Sequence, residues 1–359
     1  MDTIAVILAG GDGTRFWPLS RQSKPKQFLN ISGNDIMVNE TISRYEMVIS
    51  PKNTIIVTNR SQADVLRRYL SGNVPGNNIL TEPVGRNTAA CILYAALKIR
   101  KTYDEAVMAV FPSDHYFTDI KGFGYILGKA CDAAASTVKL VSIGIKPSFP
   151  ATGYGYIKYN KKVNAELPKN TFEADEFVEK PSFEQAMKYV KSGEYLWNSG
   201  IFAWRVSVIL ECFERYLPRL YSRMMRIYEH IGTCLEEEYI DRIYPDLQSI
   251  SIDYGILERS DNILVVPGDF DWSDIGSWDA IGVIFPPDKN GNIVKSKHVG
   301  IDTRNTIIYG NGRLIATLGI DGLIIAETED AVLVCPKDRA QDIKYIVDYL
   351  NENGMNEFV

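Results

Sequence analysis

With 45% hydrophobic and 23% charged residues over 359 positions, the chain carries enough apolar material for a large buried core and lies outside the polar, highly charged compositions that stay disordered. Its formal net charge of -6 excludes the basic surplus on which sequence-independent binding to nucleic acid depends. Five scattered cysteines without a CxxC pair exclude a disulfide framework and indicate a reducing, cytoplasmic setting.

The opening residues Met1-Asp2-Thr3 and the short apolar run to Leu8 lack the basic region and longer apolar core of a signal peptide. No uninterrupted apolar stretch is long enough to span a bilayer, so no membrane association is expected. His115, His230 and His298 share no local motif that would make a zinc site or a histidine nucleophile.

In chain order, β-branched runs at Ile4 to Leu8, Thr54 to Thr58, Ala106 to Phe111 and Leu140 to Ile143 predict strands. Between them, helical spacing predicts helices at Val38 to Val48, Gln62 to Tyr69, Thr88 to Lys101 and Phe123 to Ala135. This alternation predicts an α/β, Rossmann-like core around a mixed, mainly parallel sheet. Further strands are expected at Gly155 to Tyr159 and Thr171 to Val178, with helical segments at Phe183 to Lys191 and Val206 to Tyr228. From about Asp288, glycines punctuate short Val/Ile/Thr-rich runs, which predicts a small β domain; a last amphipathic helix is expected from Arg339 to Leu350. The predicted division is 1–285 for the core and 286–359 for the small β domain with its terminal helix.

The first strand empties into Ala9-Gly10-Gly11-Asp12-Gly13-Thr14-Arg15-Phe16-Trp17-Pro18-Leu19, followed by Lys24-Pro25-Lys26. Three glycines in four residues let the backbone turn sharply and aim bare N–H groups at an anion, with Arg15 and Lys26 adding positive charge. A glycine pair after a strand also makes an ordinary tight turn. The loop is neither a spaced GxGxxG nor a P-loop. Glu82-Pro83-Val84-Gly85-Arg86-Asn87-Thr88 lies between a short strand and a helix, where Asn87 or Thr88 reads equally as a helix cap. Asp114 follows a predicted strand at the sheet edge where ligands bind in open α/β folds, and a carboxylate there suits Mg²⁺ bridging nucleotide phosphates. For a second metal carboxylate, spacing does not choose among Asp271, Asp274 and Asp279.

The segments GGDGTRFWPL with PKQF, EPVGRNTAA, FVEKP, WNSGIF, SIDYG and DWSDIGSW occur in this order along the chain. Together they resemble the motifs of the sugar-phosphate nucleotidylyltransferases, particularly the mannose-1-phosphate guanylyltransferases, over almost the whole chain. The resemblance implies a nucleotidyltransferase core with a left-handed β-helix-like C-terminal domain. It also implies transfer of GMP from GTP to mannose 1-phosphate with Mg²⁺, giving GDP-mannose and pyrophosphate.

The resemblance assigns roles to the matching positions. Leu8, Ala9, Gly10, Gly11, Gly13, Thr14, Arg86, Asn87 and Thr88 would hold the nucleotide, and Glu82 would accept from the guanine ring. Asp114 and Asp274 would hold the metal, while Arg15 and Lys26 neutralise the phosphates. Gly153, Tyr154, Glu179, Asn198 and Asp253 would face the sugar, and Lys180 its phosphate. Asp12 stands where the family commonly has Ser, and Ala90 where it usually has Pro. The chain ends before an added isomerase domain would fit, so a monofunctional enzyme is expected. Relatives are often homodimers, and the β-domain edges offer a surface for that, although the sequence does not state an oligomeric state. The rival readings are a nucleotidylyltransferase for another sugar or base, and a non-catalytic nucleotide-sugar sensor.

Overall fold

The alternation of strand and helix patterns resolves, in a computed structural model describing residues 1–11, 13–71, 73–161 and 164–359, into two compact units. Asp12, the departure noted in the glycine loop, lies outside the described residues. The first unit comprises Met1–Gly10, Thr41–Ser113 and Phe117–Trp272; the second comprises Gly11–Glu40, Asp114–Tyr116 and Ser273–Val359.

The first unit holds strands β1 (Asp2–Leu8), β2 (Thr54–Asn59), β3 (Ile79–Glu82), β4 (Ala106–Pro112), β5 (Leu140–Ile145), β6 (Tyr156–Tyr159), β7 (Phe172–Val178), β8 (Tyr195–Arg205) and β9 (Ile263–Gly268). They form one sheet in the order β3-β2-β1-β4-β8-β5-β9-β7-β6, with β8 also pairing β6. The pairings set every strand except β7 and β8 in one direction, which is the mixed sheet expected from the sequence. β8 and β9 had no place among the predicted strands. Both are buried on both faces, so they lack the period-two alternation that marks a half-exposed strand.

The helix Asn87–Thr102 is apolar almost all round, from Ala89 to Leu97, because it packs inside the first unit's core and has little solvated face. The single helical segment expected over Val206 to Tyr228 is two helices, Val206–Tyr216 and Pro218–Tyr228. Pro218 cannot donate the N–H that would continue the first, and it is well suited to open the second.

In the second unit, β10 (Ile293–Ile301), β11 (Ile307–Leu318), β12 (Leu323–Glu327) and β13 (Val332–Pro336) pair in sequence order. The first three are parallel, as in stacked coils, and β13 returns antiparallel. Ile293, Ile307, Ile324 and Leu333 point inward onto Phe16, Trp17, Leu29 and Trp278, so the β coils share a core with the segment that follows the glycine turn. The expected terminal helix begins later: residues Lys337–Ile343 form 3₁₀ turns, and the α-helix runs Lys344–Glu352. Among the described residues, no helix is long and apolar enough to cross a membrane.

Candidate active site

Three stretches far apart in sequence meet within the second unit around a cavity of about 300 Å³. Gly13, Thr14 and Arg15 line it from the glycine loop, Asp114 and His115 from the segment after β4, and Asp274 and Gly276 from the WSDIG stretch. A two-residue bridge between Tyr116 and Ser273, with reciprocal N–H···O bonds of 2.8 and 2.9 Å, sets the two acidic segments side by side.

Lys26 ties them together. It is only 4% exposed, and its Nζ donates to Asp114 Oδ2 at 2.9 Å and to the main-chain carbonyl of Asp274 at 2.8 Å. Burial works to raise the Asp114 carboxyl, but the Lys26 ammonium and His115 outweigh it and hold the group below the usual carboxylate range. Asp274 Oδ1 accepts from the Gly276 N–H at 3.1 Å, which orients that carboxylate. Gly13 has φ 61°, and a Cβ there would run into the Cβ of Lys26 and lie 3.0 Å from its backbone nitrogen. Glycine is therefore required both by conformation and by the close passage of the lysine.

Two carboxylates are hard oxygen donors of the kind Mg²⁺ prefers. Among the described residues no group of three or more His, Cys, Asp or Glu is placed to hold a metal ion. An ion that takes most of its oxygens from phosphates and water needs no more than two acids from the protein, and Asp114 and Asp274 fit that need.

Gly11 opens the second unit, and the remaining predicted residues lie in the first, in two groups. Leu8 ends β1, the Ala9 N–H is spent on the Val57 carbonyl at 2.8 Å, and Gly10 O accepts from Asn59 Nδ2 at 2.9 Å. Asn59 and Glu82 are register partners at the ends of β2 and β3. Glu82 is 4% exposed and accepts on Oε1 from the buried Tyr244 hydroxyl, while Oε2 has no hydrogen bond among the described residues. Burial pushes the Glu82 carboxyl up to about 7, against the Tyr244 donor. Asn59 Oδ1 is likewise buried and unpaired. Asn87 and Thr88 do not act as the simple cap the sequence allowed: Asn87 is itself helical residue one with φ 61°, and Thr88 Oγ1 accepts from the Ile252 N–H at 2.8 Å. Arg86 sits at the cap position with its Nε buried and unpaired.

The second group gathers Glu179, Lys180, Asn198 and Asp253. Asn198 Nδ2 donates to Asp253 Oδ1 at 2.9 Å, and its backbone N–H to the Gly155 carbonyl at 2.8 Å. Lys180 Nζ lies 3.0 Å from Glu179 Oε1, whereas Glu179 Oε2 is buried without a partner. Burial and the neighbouring Glu179 push Asp253 up to about 7. A Cβ on Gly155 would come within 2.5 Å of Glu179 Oε2, so the absence of a side chain there leaves room for that carboxylate. Tyr154 stands edge-on to Trp197 and Trp272, each at 5.2 Å, and Gly153 is exposed beside it. Tyr244, Asn59 and Glu258, which accepts from the Glu179 N–H at 2.8 Å, were not singled out from sequence. Only Asn59 had a signal, its place at the carboxyl end of a parallel strand.

Residues 4–289 match the family model described as nucleotidyl transferase, and residues 296–350 match the MannoseP isomerase/GMP-like beta-helix domain. The mannose-1-phosphate guanylyltransferase of Salmonella muenchen is 37% identical over 357 residues, covering 99% of this chain and 74% of that protein. The alginate biosynthesis protein AlgA of Pseudomonas aeruginosa is 35% identical over 365 residues, covering 99% of this chain and 73% of its own length. A solved structure from Thermus thermophilus, described as a mannose-1-phosphate geranyltransferase, superposes with TM-score 0.86 at 35% identity, over 98% of this chain and all of that one. With two acids, a lysine and a glycine turn gathered at one cavity, and these matches running almost end to end, the chain belongs to the nucleotidyl transferase family of enzymes, with a C-terminal β-helix-like domain.

Proposed function

We propose that the enzyme transfers GMP from GTP to mannose 1-phosphate, releasing GDP-mannose and pyrophosphate. The observation that carries this reading is the Lys26 ammonium held between the Asp114 carboxylate and the Asp274 carbonyl in a polar cavity beside the Gly13 turn. A mannose 1-phosphate oxygen attacks the α-phosphorus in line as the bond to pyrophosphate breaks; the attacking oxygen is already anionic, so no general base is required. Asp114 and Asp274 would hold Mg²⁺, which when bound would supply positive charge to the phosphate oxygens. Lys26 and Arg15 stabilise the triphosphate and the departing pyrophosphate, helped by N–H groups of the loop that includes Gly11, Gly13 and Thr14.

Glu82 reads the base, supported by its buried carboxylate, which takes only the Tyr244 hydroxyl among the described residues, and by the acceptor on Asn59: guanine presents N–H donors on the edge where adenine presents a ring acceptor. Asn198, Glu179 and Asp253 bind sugar hydroxyls, and Lys180 steadies the sugar phosphate. Catalysis belongs to residues 1–285, and 286–359 form the accessory domain. All five cysteines are free, which supports a cytoplasmic enzyme. Exposed Val299, Ile301, Leu314 and Leu318 on β10 and β11 support a homodimer through the β domain.

Pyrophosphate release with GTP, ATP, UTP and dTTP against mannose and glucose 1-phosphates tests the assignment; binding without release would establish a sensor instead. The pH profile adds a sharper check. A carboxyl raised to about 7 is an anionic acceptor above that pH and a protonated group below it. The preference for GTP over ATP in kcat/KM is therefore expected to fall as pH drops through 7, and Glu82→Gln is expected to flatten that dependence. A profile unchanged by Glu82→Gln would remove the residue from base recognition.

A further inference from the structure

The cavity around Lys26 has one wall that the motif reading did not anticipate: Lys344, from the C-terminal helix beyond the β coils, lines it together with Arg15, Lys26, Asp114 and Asp274. We propose that Lys344 is a further phosphate-binding residue, a cation delivered by the β-helix-like domain to the terminal phosphates of the nucleotide and to the pyrophosphate that leaves. The inference rests on the nucleotidyl-transfer reading and extends it to a residue outside the catalytic core.

Three observations support it. First, Lys344 is exposed and makes no salt bridge among the described residues, unlike Lys26, Lys98 and Lys180, each of which faces a carboxylate. Its Nζ sits 4.9 Å from the centre of the Tyr345 ring, a contact that leaves its charge available to a ligand. Second, the segment carrying it is anchored to the acidic loop. Gln341 Nε2 donates to Ser277 Oγ at 2.7 Å, and Ser277 directly follows Gly276, itself a lining residue of the cavity. Ile343, the preceding residue, is buried in the core that contains Phe16 and Trp278. The lysine therefore projects from a fixed base. Third, the charge count at the cavity leaves room for it. The cations Arg15 and Lys26 are matched in number by the acids Asp114 and Asp274, so without Lys344 the group has no net positive charge to set against a triphosphate. A chain of phosphates needs several cations in fixed positions, since transition-state stabilisation here is chiefly electrostatic.

The test compares wild type with Lys344→Ala, Lys344→Glu and Lys344→Arg in both directions of the reaction, with inorganic pyrophosphate as the probe. In the reverse direction the KM for pyrophosphate is expected to rise about 10-fold in Lys344→Ala and further in Lys344→Glu, the scale of losing one charge-assisted contact. Lys344→Arg should recover most of the affinity, the KM for GDP-mannose should stay within about 2-fold, and the melting temperature should not move, because an exposed unpaired lysine contributes little to stability. The wild-type excess should also shrink as salt is added. An unchanged pyrophosphate KM in Lys344→Ala, or an equal loss for both substrates with a lowered melting temperature, overturns the proposal. If the wild type neither releases nor consumes pyrophosphate, the nucleotidyl-transfer reading itself fails; wild-type turnover with an indifferent Lys344→Ala sinks only the role of the lysine.

Discussion

Asp274→Asn is expected to lower kcat on the order of 10³-fold while leaving the fold intact, the scale seen when one preorganised electrostatic contact is removed from a reaction that builds charge. The substitution keeps an oxygen able to accept from the Gly276 N–H, now at 3.1 Å, and it leaves the main-chain carbonyl that binds Lys26 in place. What disappears is one of the two negative charges available for a divalent ion. Metal affinity should fall with turnover, so binding of Mn²⁺ alone, followed by its paramagnetic signal, gives a readout independent of catalysis. Near-normal turnover at saturating Mg²⁺ would remove Asp274 from the metal site and reopen the choice of Asp271 or Asp279. Of the three, Asp271 accepts from Thr118 and the Asp119 N–H, Asp279 from Ser277, and Asp274 lines the cavity.

Trp278→Ala is expected to destabilise the protein by about 3–5 kcal/mol, the usual range for emptying a buried aromatic site. Trp278 is fully buried, packs on Phe16 at 5.4 Å and Tyr309 at 5.3 Å between ring centres, and donates from Nε1 to the Trp17 carbonyl at 3.0 Å. It thus links the chain just after the glycine turn to the wall of β11. A lower denaturant midpoint at unchanged slope is the expected result. The same variant should raise the KM for GTP, because Phe16 and Trp17 hold the loop that presents Gly13 and Arg15. A loss below about 1 kcal/mol would mean that the cavity collapses around the missing ring, contrary to the close packing seen there.

Much of the chemistry was legible one residue at a time. The glycine turn, Lys26 and Asp114 could be named from residue type and chain position, a glycine run after β1 and the end of a parallel strand, whereas Asp274 was chosen over Asp271 and Asp279 only by the family resemblance. The break at Pro218 was missed, because the apolar periodicity runs through it and predicts one helical segment. Other features were invisible for physical reasons. β8 is buried on both faces, and its composition does not distinguish it from a buried helix segment. Tyr244 lies 162 residues from the carboxylate it serves, and nothing local to it indicates a hydrogen bond.

By itself the sequence determined many of the local conformations, the α/β character of the first part and the β character of the last. These depend on short-range sterics and on hydrophobic period, which are written in neighbouring residues. Only the tertiary structure decided that Lys26 reaches Asp114 and the Asp274 carbonyl at once, that the chain after the glycine turn shares a core with the β coils, and that Lys344 joins the same cavity. Those outcomes depend on which distant apolar surfaces bury one another, a choice made by the packing of the whole unit and not by any stretch of chain within it.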